Sequence, residues 1–280
     1  MVFQQYRELL FPDAAFSDLD MAIKVTMDKE GKLKFDATVW NITQRTWDSI
    51  EKGDSVQIKL GWADGPTEVV VFGTLDSKNR EQDGNDMKFS FKGVDESSSA
   101  GNQRISNTWR NKDPGGISAD IARSIGLTPQ TVNTGQPISG NWSATQDQQA
   151  KKWLDELVTI AEEQTGVKWE WHGEQGELSF RPKNDTRREA PVLGWDTNLV
   201  EISEDSESDS DTEKLSFEAM LTPAIARGAA LDVQVERFSG IWKVETYEHQ
   251  SESTSGDHLT RGTLIPTDQE YSVAAERRAV

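Results

Sequence analysis

The chain has 280 residues and a formal net charge of −18, because 48 aspartate and glutamate residues outnumber 30 lysine and arginine residues. Nucleic acids and anionic membranes are bound by clustered Lys and Arg side chains, so a chain this acidic is expected to bind neither. Because it has no cysteine, the sequence excludes disulfides, thiolate metal sites and cysteine nucleophiles.

Length and hydropathy predict a folded protein of more than one domain. At about 100–200 residues per domain, the chain has room for two or three domains. Its longest apolar run is residues 69–72 (VVVF), which is far below the ~20 residues that a membrane-spanning helix needs. Near the N-terminus Arg7 is followed by Glu8 and by no long apolar stretch, so no signal peptide is expected.

The first hundred residues alternate apolar and polar side chains, as half-buried strands do. Turns rich in Gly and Asp separate the alternating segments, which favours a small antiparallel barrel or sandwich. Gly73 marks an expected bulge or sharp bend, residues 43–50 an expected connecting turn, and residues 81–85 an expected polar loop. The predicted strands cover residues 20–28, 33–40, 55–62, 67–75 and 87–94.

A helical unit is predicted after a small, polar boundary segment at residues 95–102. Apolar residues on one helical face predict a helix over residues 117–125, and Gly126 is expected to end it. Residues 129–141 have a loop-like composition.

A second apolar stripe predicts a longer helix over residues 150–161. Thr145 or Asp147 is expected to cap its start, and Gly166 is suited to its end. Residues 167–181 then alternate on both sides of a glycine-containing turn, which predicts a hairpin.

From about residue 185 the pattern returns to β structure. Residues 201–213 contain seven carboxylates, whose repulsion favours a solvated loop or hairpin tip; a calcium site is disfavoured because the EF-hand spacing is missing. The tail after Pro266 is polar and is expected to fray. The predicted strands cover residues 214–221, 230–238, 240–249 and 258–265.

Together these patterns predict a mainly β fold with an α+β insert. Two small antiparallel β-barrel-like domains are expected to flank a helix-containing domain. The expected boundaries are 1–98 for the N-terminal β-barrel, 99–184 for the α+β insert domain and 185–280 for the C-terminal β-barrel-like domain.

The sequence contains no motif that carries catalysis or binds a cofactor. The nucleophile elbow, the glycine-rich phosphate loops and the HExxH zinc motif are all missing. His172 lies near Glu170 and Glu174, but without metal-ligand spacing a solvated hairpin turn is favoured. Glu162 and Glu163 are expected on a solvated helix face. We therefore assign no catalytic, metal or cofactor-binding residue and no cofactor.

Ten tryptophans accompany only three tyrosines, which is an unusual ratio. Trp169 and Trp171 alternate along one predicted strand and therefore share a face. A carbohydrate-binding platform is one interpretation of such a face. A core or a subunit interface is favoured, because tryptophan is enriched in both.

Three stretches share an ordered set of features with one known protein family. In the first, residues 39–77, a strand leads into Asn41. A KGD turn at residues 52–54, a GW pair at residues 61–62 and an FG pair at residues 72–73 follow in that order. Each feature alone is common in β turns, so the order and the spacing carry the resemblance.

The second and third stretches lie in the insert and in the C-terminal part. The second combines residues 125–127 (IGL), the helix ending at Gly166 and the strand over residues 177–182; the third covers residues 221–233 and 239–253. In this order the stretches resemble the tail baseplate hub proteins of phages and phage-like contractile machines. That family includes the hubs of phage Mu and phage T4 and the late-control-type tail proteins.

The resemblance implies a structural virion protein that is not an enzyme. It implies a homotrimer in which two similar β-barrels per subunit form a pseudo-sixfold ring. That ring joins the tail tube to the central spike or tip and lets DNA pass. The implied partners are further copies of the chain, the tail tube or distal tail protein, the spike or tip protein and the tape-measure protein. Specific nucleic-acid binding and a membrane span are not expected, and the implied location is the tail baseplate, assembled in the host cytoplasm.

Two other functions stay open at this point. A carbohydrate-active, tail-associated enzyme would need two carboxylates facing each other across a cleft, one of them with a raised pKa. A tail adhesin that binds glycans without cleaving them would need exposed aromatic side chains, for which Trp169 is the candidate.

Overall fold

The computed structural model describes residues 4–27, 31–145, 148–183, 191–204 and 214–267. The helices are α1 (Gln44–Ser49), α2 (Glu96–Ala100), α3 (Pro114–Ser124) and α4 (Ala150–Thr165). The strands are β1 (Gln5–Phe11), β2 (Ala14–Phe16), β3 (Met21–Met27), β4 (Leu33–Trp40), β5 (Ser55–Trp62), β6 (Thr67–Asp83), β7 (Asp86–Asp95), β8 (Asn107–Arg110), β9 (Thr128–Thr131), β10 (Asn141–Ala144), β11 (Trp169–Glu174), β12 (Glu177–Pro182), β13 (Val192–Leu193), β14 (Leu199–Glu204), β15 (Leu215–Met220), β16 (Ala230–Val233), β17 (Gly240–Glu252) and β18 (His258–Pro266).

Thirteen of the described strands form one large sheet, which confirms the mainly β fold. Eleven follow the order β14-β15-β18-β17-β3-β4-β7-β6-β5-β1-β2, while β16 pairs with β17 and β13 pairs with β16. Alternate residues of each strand point into a single hydrophobic core, as Met21, Ile23 and Val25 do in β3. This core runs from Leu9 to Leu264 and therefore draws on both ends of the chain.

β17 joins the two β parts of the chain. One edge of β17 pairs with β18, and the other pairs with β16 over residues 240–243 and with β3 over residues 247–252. The two expected β-barrel-like domains therefore share one open sheet, which the described strands do not close into a barrel. The sequence did not predict this, because the pairing of β17 with β3 joins residues near opposite ends of the chain, which no local pattern reveals.

The insert has a core of its own, built from residues between Ala100 and Phe180. In it α3 and α4 pack against each other and against a three-stranded sheet of order β11-β12-β9. β8 and β10 form a separate pair that adds Trp109 and Trp142 to this core.

Helix ends in the insert follow ordinary capping rules, but one cap expected from sequence is not formed. Asp113 accepts the N–H of Gly115 at 2.8 Å at the start of α3, and Gly166 ends α4 in the left-handed conformation at φ 73°. The expected cap of α4 at Thr145 is wrong, since Gln149 precedes the helix without a side-chain cap bond; Asp147 lies outside the described residues. No helix in the described ranges is long and apolar enough to cross a membrane.

Several short elements differ from the sequence expectations. The expected turn at residues 43–50 contains the helix α1, the expected loop at residues 81–85 is largely a continuation of β6, and the loop at residues 129–141 begins within β9. Strands β1, β2, β8 and β10 were not predicted. β1 pairs with β5, and β8 pairs with β10, so these strands depend on partners that local alternation does not reveal. β2 is a three-residue strand that pairs with the neighbouring β1.

The residues that carry the family resemblance have backbone roles here. Asn41 has a φ of 59°, and its side-chain oxygen accepts the N–H of Met87 at 3.0 Å. A Cβ at Gly61, where φ is 155°, would lie 2.2 Å from the carbonyl oxygen of Pro66. Position 41 therefore requires a residue that tolerates the left-handed backbone conformation. Position 61 requires glycine, because a Cβ atom there would clash with the neighbouring backbone.

Gly73 is a point of close backbone approach. Of the two features expected there from sequence, a bulge or a sharp bend, the bulge does not fall at Gly73 itself. The register shifts fall on either side, at Val70 between β5 and β6 and at Asp76 between β6 and β7. At Gly73 itself a Cβ would lie 2.2 Å from the carbonyl oxygen of Val94.

Replacing Gly73 with alanine should therefore destabilise the sheet. We expect Gly73→Ala to lower the free energy of unfolding by about 1–3 kcal/mol, because the methyl group forces strands β6 and β7 apart. The midpoint of urea unfolding measures this. Gly194→Ala is the matched control, since its Cβ would meet no atom nearer than 3.6 Å; equal midpoints for the two variants would contradict the steric assignment.

Candidate functional site

The tip of the β11–β12 hairpin reaches from the insert to the large sheet. Gln175 and Gly176 have φ values of 53° and 81°, which makes a tight two-residue turn. The N–H of Gly176 donates to the hydroxyl of Ser97 at 2.6 Å. A Cβ on Gly173 would lie 2.1 Å from the carbonyl oxygen of Ser97, so the hairpin backbone packs directly on α2.

Asp95 is fully buried next to this turn. Its carboxylate accepts the N–H of Ser97 at 2.9 Å and that of Phe72 at 3.0 Å, and the backbone of Gln175 also donates to it. Burial raises the pKa of Asp95 above its usual value, because the loss of hydration outweighs these hydrogen bonds. No local signal pointed to this role, since Asp95 begins a boundary segment of small and polar residues.

Tyr247 links the hairpin tip to β17. Its hydroxyl, in a side chain that is 1% exposed, donates a hydrogen bond to the carboxylate of Glu174, which is 7% exposed. Burial first, and then the charge of Glu174, raises the pKa of Tyr247 well above its usual value. The phenol therefore stays protonated and remains a donor to the buried carboxylate.

A second contact between the insert and the large sheet is an ion pair. Lys243 of β17 places its Nζ 2.8 Å from Glu170 of β11 and 2.8 Å from the carbonyl oxygen of Lys183. Both charged side chains are largely buried, at 14% and 24% exposed. β17 thus holds the insert at two points of the same strand.

Between these contacts lies a cavity of about 470 Å³. Its walls come from α3, from the sheet β11-β12-β9 and from the loop of residues 226–229. Guanidinium groups and carboxylates both line it, so neither charge dominates. Its ionisable lining residues are Arg123, His172, Glu174, Glu177, Arg181 and Arg227.

The cavity does not contain an activated serine. Ser179 and His172 are cross-strand neighbours, and Ser179 is 7% exposed. The hydroxyl of Ser179 makes no hydrogen bond to any described residue. The contact between nucleophile and base that a serine hydrolase requires is therefore missing from this pair.

The hypothetical metal ligands around His172 have separate partners. Glu170 pairs with Lys243, Glu174 accepts from Tyr247, and the ring of His172 lies 3.5 Å from a guanidinium nitrogen of Arg181. The described residues contain no group of three or more metal-ligating side chains.

The buried histidines His258 and His249 lie in the seam between the N-terminal and C-terminal strands. The Nε2 atom of His258 lies 2.7 Å from the carbonyl oxygen of Gly61, so Nε2 carries the hydrogen. Its Nδ1 lies 2.7 Å from the hydroxyl of Ser251, which also accepts from Arg7 at 3.1 Å. This chain of hydrogen bonds crosses strands β1, β17, β18 and β5 and requires a neutral imidazole.

Both histidines are uncharged for the same reason. Burial, followed by the charge of Arg7, lowers the pKa of His258 to about 4. Burial lowers the pKa of His249 to about 3, although the carbonyl of Ile225 partly offsets it. The Nδ1 atom of His249 lies 2.9 Å from the hydroxyl of Thr260.

The tryptophan face predicted from sequence belongs to the core. Trp169 is 4% exposed and packs on Phe180 at 5.1 Å, and Trp171 packs against the same core while donating to Asp155 at 2.7 Å. The core interpretation is therefore confirmed, and Trp169 is not placed to bind a glycan. Trp195, at 58% exposed, is the exposed tryptophan that sequence reasoning did not single out.

The remaining predicted acidic features are placed as follows. Glu162 accepts from Lys168 at 3.0 Å and from the N–H of Trp169 at 3.2 Å, and these bonds lower its pKa. In the acidic segment 201–213, Glu204 ends β14 and pairs with Leu215 of β15. Residues 205–213, like the tail after residue 267, lie outside the described residues, so both expectations stay predictions.

Comparison with known proteins identifies relatives by structure alone. No protein-family model and no curated protein matches the sequence. Among solved structures, the 43 kDa tail protein of prophage MuSo2 from Shewanella oneidensis matches with a TM-score of 0.65 at 12% identity. The match covers 95% of this chain and 99% of that one.

Two further structures show the same likeness. A tail protein from Neisseria meningitidis MC58 matches with a TM-score of 0.65 at 9% identity, over 94% of this chain and 97% of that one. A type VI secretion system component of E. coli, described as structurally similar to T4 bacteriophage tail proteins, matches with a TM-score of 0.61 at 9% identity. Here 92% of this chain and 76% of that one are covered. The resemblance to phage tail proteins is thus confirmed at the level of the fold.

Removing the Tyr247 hydroxyl should weaken the attachment of the insert. We expect Tyr247→Phe to lower the free energy of unfolding by about 1–3 kcal/mol, because a buried carboxylate loses a donor. Urea unfolding followed by tryptophan fluorescence measures this. Tyr6→Phe is the matched control, since the phenol of Tyr6 is also influenced by a carboxylate, that of Glu8, but is less buried than that of Tyr247; equal losses would contradict the buried role.

Stability should depend on pH through His258. Its pKa is about 4 in the folded chain against an ordinary 6.5, so its contribution is complete above pH 6.5 and is lost as the pH falls toward 4. Relative to His258→Gln, the wild-type protein should lose about 1.4 kcal/mol of unfolding free energy per pH unit in that window. Urea titrations between pH 8 and 4.5 test this; the two profiles should run parallel above pH 7, and parallel profiles throughout would contradict it.

Proposed function

We propose that this chain is a structural tail baseplate hub of a phage or a phage-like machine. In this role three copies form a ring with pseudo-sixfold symmetry that joins the tail tube to the central spike or tip and lets DNA pass. The observation that carries the proposal is the fold likeness to two phage-type tail proteins over nearly the whole length of both partners in each comparison.

The order of the chain supports the symmetry argument. A trimer whose subunits each present two comparable β surfaces offers six similar surfaces to a sixfold tube. Here N-terminal strands and C-terminal strands flank an insert with its own core, and β17 fixes the two sets in one sheet. The proposed domains are the tube-facing residues 1–98, the insert 99–184 and the C-terminal residues 185–280.

The charge of the chain supports the passage of DNA. A net charge of −18 per subunit disfavours adhesion of a polyanion, because carboxylates outnumber the cations that would displace its counterions. A ring of three such subunits would let DNA slide through without binding it specifically.

The proposed partners follow from this position in the tail. They are two further copies of the chain, the tail tube or distal tail protein, the spike or tip protein and the tape-measure protein. The proposed location is the virion tail baseplate, with assembly in the host cytoplasm. The proposed role is not enzymatic. In support of this, Glu170 pairs with Lys243, Glu174 accepts from Tyr247, and the hydroxyl of Ser179 makes no hydrogen bond to any described residue.

The oligomeric state tests the proposal directly. Size-exclusion chromatography with light scattering should give a mass three times that of the 31.3 kDa chain, and dilution should convert the trimer into monomer without a dimer plateau. Mass spectrometry of purified tails should detect the chain. A monomer at high protein concentration together with its absence from tails would overturn the proposal.

A further inference from the structure

A second cavity, of about 410 Å³, opens between the β5–β6 turn and the segment that follows β15. We call it the Trp62 groove. Its walls are mainly apolar, and none of them belongs to the insert. The apolar wall residues are Trp62, Pro66, Met220, Leu221, Pro223 and Ala224.

The Trp62 groove is held open by contacts within the chain. The indole N–H of Trp62 donates to the carbonyl of Leu221 at 3.0 Å, which ties one wall to the other. The ring of Trp62 also packs edge-on against His258, with centroids 4.5 Å apart. On the far wall, the amide of Asn198 donates to the hydroxyl of Thr222 at 2.9 Å. A ligand would therefore meet a preformed surface.

Charge at the groove has one sign. Among the described residues that line it, Asp64 and Glu68 are the charged ones, and both are carboxylates. The neighbouring turn adds Asp196 and the exposed Trp195 beside the lining residue Thr197. An apolar slot with an acidic rim favours an apolar side chain flanked by cations.

We propose that the Trp62 groove binds an extended peptide segment of a partner protein, anchored by a large apolar side chain next to Lys or Arg. The volume suits one or two such side chains, and the rim carboxylates pair with the flanking cations. A contact between the grooves of two copies is disfavoured, because it would bring the rim carboxylates Asp64 and Glu68 of each copy together. The proposal goes beyond the hub role and does not depend on it.

Fluorescence anisotropy with three labelled peptides tests the specificity. The basic apolar probe is Gly-Lys-Trp-Leu-Lys-Gly; one control replaces both Lys by Glu, and the other replaces Trp and Leu by Ala. We expect the full-length chain to bind the first probe at least about tenfold tighter than either control. No binding of the first probe, or equal binding of the alanine control, overturns the proposal.

Two variants place the binding at the groove. Asp64→Lys/Glu68→Lys reverses the rim charge at the surface, and Ala224→Phe fills the slot; each should weaken binding of the basic apolar probe by about tenfold or more. Asp13→Lys/Asp83→Lys makes the same change in net charge at exposed positions elsewhere and should leave binding within about twofold.

Light scattering of the same proteins separates peptide binding from self-association. The rim variant should keep the mass of the wild-type chain. If it changes the oligomeric mass while its affinity for the probe stays that of wild type, the groove is an interface between copies and the proposal is wrong. The rim substitutions lie at the surface, so light scattering and probe binding of the rim variant can be interpreted even if Ala224→Phe fails to fold.

Discussion

The pairing of β17 on both edges is the constraint on which the rest of the structure depends. A strand has only two edges, and β17 uses one for β18 and divides the other between β16 and β3. The same strand carries Lys243 and Tyr247, whose side chains reach the insert. Three parts of the chain are thus positioned by thirteen residues. Their relative placement cannot change without breaking backbone hydrogen bonds of the sheet or the side-chain contacts of Lys243 and Tyr247.

Buried polar groups, in the seam and beside the hairpin tip of the insert, fix how the strands and the insert are aligned. Buried carboxylates and imidazoles are costly unless their hydrogen bonds are satisfied, so each tolerates few alternative positions. Asp95 requires the N–H groups of Phe72 and Ser97, and His258 requires Gly61 and Ser251 together. Apolar packing alone would allow the insert and the strands to slide; these contacts specify one docked arrangement, which suits the proposed structural role.

The contacts of the candidate site could not be anticipated from sequence. Glu170 pairs with Lys243 and Glu174 with Tyr247, and each pair joins residues 73 positions apart in the chain. Asp95 and Tyr247 gave no signal, because nothing in the local sequence shows that a carboxylate at a polar boundary and a phenol in a strand will both be enclosed. The Trp62 groove was likewise invisible, since its walls come from segments about 160 residues apart that meet through Leu221.

The sequence by itself determined the elements whose signal is local. Alternation placed β3, β4 and β5, and helical periodicity placed α3 and α4, because side-chain burial in these elements repeats with the backbone period. Only the tertiary structure decided that both β parts form one open sheet, that β1 is a strand and that residues 81–83 prolong β6. Those outcomes rest on hydrogen bonds to distant strands, and the free energy of such pairing depends on a partner that no local window contains.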